Sequence, residues 1–97
     1  MNMDINISEV QIIPVKPQDG LVAFTSFILN GQLYIGNIAL YTSPSSADGH
    51  RLVYPAKTLP NGKIIQCVHP INRETGESIK KAIMAKYVEL IKKTESD

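Results

Sequence analysis

Ninety-seven residues, 43% hydrophobic and 20% charged, suit one domain, 1–97, built on a single core over about 5–93. No apolar run approaches the roughly 18 residues of a membrane span. MNMDINIS has no basic region ahead of an apolar block and Cys67 has no second cysteine to pair with, so a cytoplasmic protein is expected. The net charge of +1 hides a step: residues 1–50 carry one Lys against four acids, a net −3, and residues 51–97 carry nine basic and five acidic side chains, a net +4.

In chain order, Ile5 to Val15 is rich in strand formers, but Ile5 and Ile7 are out of phase with Val10 and Ile12. That offset predicts a bulge near Ser8 and Glu9, and Pro14 and Pro17 predict that the strand lies at an edge or ends there. LVAFTSFILNGQLYIGNIALY follows, two apolar runs joined by Asn30-Gly31, the pair suited to the positive φ angles of a tight hairpin. A two-residue turn sets Leu29 opposite Gln32, Phe27 opposite Tyr34, Ala23 opposite Ile38 and Leu21 opposite Leu40. Phe24, Ile28, Leu33 and Ile35 then share the other face, and both faces are apolar.

Residues 42–50, TSPSSADGH, have loop composition and are expected to be mobile. A short strand from Arg51 to Tyr54 is followed by a reverse turn at Leu59-Pro60-Asn61-Gly62, with the glycine placed for a bulge, and a returning strand from Lys63 to Val68. After Pro70 the period becomes helical. Ile79, Ile83, Met84, Tyr87, Val88, Leu90 and Ile91 fall within half the helical circumference, which predicts an amphipathic helix from about Arg73 to Lys93. Asn72 is placed to cap it, Gly76 weakens its start, and residues 94–97 are expected to fray.

These elements specify an α+β fold: an antiparallel sheet of about five strands, a meander with its hairpin at Asn30-Gly31, followed by a C-terminal amphipathic helix. One helix covers one face of a sheet. The other face, with Phe24, Ile28, Leu33 and Ile35, needs a partner, because each large side chain left wet forgoes about 1.5–3 kcal/mol. A second copy of the chain is the simplest cover, and those four residues are the expected interface.

Candidate chemistry is sparse. Cys67 and His69 lie two apart on a strand and can point to one side, as a nucleophile and base would, but no third residue orients them. His50, Cys67 and His69 lack the paired spacings of a metal site, and the isolated glycines match no phosphate loop. No enzyme, metal, cofactor or small-molecule substrate is expected. The basic side chains of the second half remain, able to neutralise phosphates if folding gathers them.

The hairpin SFILNGQLYIGNI, the segment YPAKTLPNG, and VHPIN followed by a helix ending in AKY resemble, in order and interval, the SpoVG family of small bacterial septation and sporulation regulators over roughly residues 5–88. The resemblance implies a strand-rich fold with a C-terminal helix, a homodimer, and a regulator that binds DNA and RNA without enzymatic activity. The basic segment of the family survives as Lys57, and the signature after the strand as His69, Pro70, Ile71 and Asn72. The chain departs from the family pattern at Ala39, Thr58 and Gly76, where basic side chains are usual, and at Gln66, where an acid is.

Nucleic-acid contact is therefore expected from Arg51, Lys57, Lys63, Arg73, Lys80 and Lys81. In HPIN, Pro70 holds His69 extended, Ile71 is expected to pack inward, and the histidine is expected to hydrogen-bond within the corner. The alternative is a dimeric protein-interaction adaptor that does not bind nucleic acid, favoured by Ala39, Thr58 and Gly76 as the charge step favours the binder.

Overall fold

The structure, a computed structural model, describes residues 5–95, the side chains of 94 and 95 excepted. Four antiparallel strands, β1 (Ile7–Gln18), β2 (Leu21–Leu29), β3 (Leu33–Thr42) and β4 (His50–Val53), form a meander in the order β1-β2-β3-β4. A separate ribbon pairs β5 (Ala56–Thr58) with β6 (Ile64–Gln66), and one helix, α1 (Arg73–Glu95), follows. The expected α+β fold is present, with the sheet of about five strands resolved into four plus a ribbon of two. The helix runs on through 94 and 95, where fraying is expected, and 96 and 97 lie outside the described residues.

The bulge at Glu9 explains how an out-of-phase strand builds one core. Register slips between Ser8 and Gln11, where Glu9 takes φ 48°. The extra residue brings Ile5, Ile7, Val10 and Ile12 together against the cluster of Phe27, Ile38, Ile79 and Ile83. β1 is an edge strand, as its two prolines predict. It is joined to β2 by a second tight turn, Asp19-Gly20, with φ 53° and 90°, a pair that carries the same turn signature as Asn30-Gly31 and is absent from the expectations above.

At the central hairpin Asn30 and Gly31 both take positive φ, 53° and 66°, and the Gln32 amide donates to the Leu29 carbonyl at 3.0 Å. The expected register is wrong. Strand pairing resumes at Leu33, not Gln32, so Leu29 faces Leu33 and Phe27 faces Ile35. A second bulge in β3, where Asn37 takes φ 59°, then sets Thr25 opposite Ile38 and Ala23 opposite Leu40. The Asn37 bulge repeats the Glu9 device: Ile35 and Ile38, three apart, both turn to the core.

α1 lies across this face through Ile79 and Ile83, both buried. Each fully buried Phe or Ile contributes about 1.5–3 kcal/mol relative to exposure. Asn72 caps the helix as expected, its Oδ1 accepting the Thr75 amide at 2.8 Å. Gly76 has a packing reason: a Cβ there would stand 3.3 Å from the Pro70 ring. Further along, the helix and the proline-bearing half of β1 leave a cleft of about 320 Å³ lined by Pro14, Val15, Pro17, Val22, Tyr87, Leu90 and Ile91. No helix of the described residues is long and apolar enough to cross a membrane.

Candidate nucleic-acid interface

The ribbon is built by its turn. The Gly62 amide donates to the Leu59 carbonyl at 2.9 Å and the Leu59 amide to the Lys63 carbonyl at 2.7 Å, with Gly62 at φ 88°, the glycine bulge expected there. The returning strand is shorter than expected and pairs only with β5, not with the main sheet. Lys57 faces Ile65, and the Leu59–Lys63 bond continues the ladder, so Lys57, Lys63 and Ile65 share one side of the ribbon by strand alternation. All six strand residues are exposed. Among the described residues no ion pair engages Lys57 or Lys63.

The other four candidate cations are dispersed. Arg51 stands on β4 directly opposite Tyr41, its guanidinium carbon 4.9 Å from the ring centroid. Arg73 is exposed and pairs with Glu77 one helical turn on, Nε to Oε1 at 3.1 Å. Lys81 is exposed on α1. Lys80 meets Asp48 of the β3–β4 loop, Nζ to Oδ1 at 3.0 Å. That hydrogen bond holds the Asp48 carboxyl below its ordinary value; burial opposes it, and the His50 amide and the Lys80 charge add lesser lowering effects.

The loop for which mobility is expected is closed by bonds from the Ser43 amide to the Gly49 carbonyl (2.7 Å) and the Gly49 amide to the Ser46 carbonyl (3.1 Å). The roles of Asp48 and of His50, whose ring meets Tyr87 edge-on at 5.3 Å between centroids, are missing from the sequence reading. One signal pointed there: Lys80 falls inside the apolar arc of the helix, where a cation needs a partner.

In HPIN the histidine does bond within the corner, its Nδ1–H donating to the Pro70 carbonyl at 3.0 Å. Ile71 does not pack inward. It is 88% exposed, because the chain must turn there to present Asn72 to the helix amides.

The four residues expected at the interface do not form one surface. Phe24 and Ile28 lie half-buried on the face away from α1, Ile35 packs into the core, and Leu33 sits exposed opposite Leu29. The extra residue in the turn and the bulge at Asn37 cause this separation. The open face instead carries an apolar row across all four strands, Ile13–Phe24–Ala39–Val53. Beside it the Tyr34 ring lies over Gly36, 2.6–2.8 Å from where a Cβ would stand.

A family model described as SpoVG matches residues 5–89, spanning the sheet, the ribbon and most of the helix. The chain belongs to the SpoVG family. It is 29% identical over 83 residues to "Putative septation protein SpoVG" of Clostridium perfringens, covering 86% of this chain and 89% of that protein. It is 26% identical to "Putative septation protein SpoVG 1" of Listeria monocytogenes, covering 86% and 78%. The departures of this SpoVG member have structural settings. Ala39 is buried in the apolar row, Gly76 lies under Pro70, and Thr58 faces Ile64 on the ribbon side away from Lys57.

Proposed function

We propose that this SpoVG-family chain is a homodimeric DNA- or RNA-binding regulator, tied through its relatives to septation or sporulation control. The observation that carries the reading is the ribbon: Lys57 and Lys63 share one exposed side, and among the described residues neither is engaged by an acid. Two cations fixed on a projecting hairpin suit contact with successive phosphates, and a two-stranded ribbon has the width that a major groove admits. The open sheet face, with Ile13 60% exposed and Val53 36% exposed, supports pairing of two copies.

Fluorescence anisotropy with a short labelled DNA duplex and a single-stranded RNA tests the binding. The double variant Lys57→Ala, Lys63→Ala should lose affinity on either probe, with a logarithmic salt slope shallower by about 1.8 on the duplex, since each lost contact removes about 0.9. Its helical circular dichroism should not change. Absence of wild-type binding to both probes at low salt overturns the reading. A protein-interaction adaptor is the second reading, favoured by the exposed Ile64 and Ile71, and it predicts a double variant that retains both fold and dimer with no nucleic-acid binding to lose.

A further inference from the structure

Lys80 is not available to a phosphate in the conformation described. It follows buried Ile79 within the apolar arc of α1, with its side chain 29% exposed, and its ammonium donates to Asp48 Oδ1 at 3.0 Å. The same carboxylate oxygen accepts the His50 amide at 3.2 Å, and His50 Nδ1–H donates to the Asp48 carbonyl at 3.2 Å. The His50 ring then reaches Tyr87, about two helical turns beyond Lys80. The β3–β4 loop at Asp48 and the first residue of β4, His50, thus grip the helix at two points. The Arg73–Glu77 pair is more exposed, 89% and 67% against 29% for Lys80 and 41% for Asp48, and yields more readily to a competing anion.

We infer that Asp48 is a built-in competitor for nucleic-acid phosphate at Lys80, so that the loop restrains binding and lifts from the helix when a phosphate takes its place. This rests on the nucleic-acid reading above. A carboxylate and a phosphate offer the ammonium the same kind of charged oxygen acceptor, and the two anions repel each other when crowded on one ammonium, so the Asp48 contact disfavours a phosphate at Lys80. Asp48 belongs to the acidic half of the sequence and Lys80 to the basic half, and the fold joins them.

Four proteins, the wild type, Asp48→Asn, Lys80→Ala and the double variant, are titrated with the same labelled duplex over a salt series. Asn at 48 keeps an oxygen for the His50 amide and removes the charge. Asp48→Ser replaces it if Asp48→Asn loses helical circular dichroism. Asp48→Asn is expected to bind about fivefold tighter, near the upper worth of an exposed ion pair, with a salt slope steeper by about 0.9. Lys80→Ala should remove that gain, so that the double variant binds no tighter than Lys80→Ala alone.

An Asp48→Asn variant that binds no tighter than wild type overturns the inference. So does a gain that survives in the double variant, which would then reflect only the loss of a negative charge. No binding by any of the four overturns the functional reading as well, whereas wild-type binding with an indifferent Asp48→Asn overturns the inference alone.

Discussion

Tyr54 packs its ring against the Phe27–Ile38–Ile79–Ile83 cluster while its buried hydroxyl lacks a hydrogen-bond partner among the described residues. Burial raises its phenol pKa. Because the folded value is raised, this contribution is fully present below the ordinary value of about 10 and is lost as pH rises through the folded one. Tyr54→Phe removes a hydroxyl that surrendered water for nothing. Urea unfolding should show stability unchanged or raised by up to about 1 kcal/mol, with the alkaline loss gone. A loss above 1 kcal/mol would reveal a partner for the oxygen. Single residues whose role is local were legible in advance: Asn72 as a cap, Glu9 as a bulge, His69 as a corner. Asp48 and Tyr54 were not, because what surrounds them comes from distant segments of the chain.

At the scale of elements, the helix and both kinds of turn were legible and the strand register was not. Asn30-Gly31 dictates positive φ at two positions, yet whether pairing resumes at Gln32 or Leu33 depends on the packing of both strands. One residue of slip moves every side chain to the other face. The three-residue spacing of Ile35 and Ile38 held the clue, the same clue that the spacing of Ile7 and Val10 gave for β1. The helix start is a separable local element. Asn72→Ala should cost about 1 kcal/mol in thermal or urea unfolding by exposing the Thr75 amide, with the sheet contacts intact. An unchanged midpoint would show that water or another group serves that amide equally well.

For the whole molecule, one helix and two apolar faces pose the covering problem that the sequence already announced, although the residues first assigned to it were partly misplaced. Ile13 is the sharpest probe of the corrected surface. Exposed in a single copy, it should tolerate Asp with little change in fold, whereas an apolar contact between copies would not. Light scattering should find a dimer for the wild type and a monomer for Ile13→Asp at equal concentration, with matching circular dichroism; a dimer that survives the charge would move the interface off this face. The neighbouring prolines bear on how copies can meet. Pro14 and Pro17 strip amide donors from the long outer strand, and the opposite rim of the sheet is only four residues long. An added strand would find an incomplete ladder on one border and a stub on the other, so the architecture disfavours endless edge-to-edge stacking into fibrils.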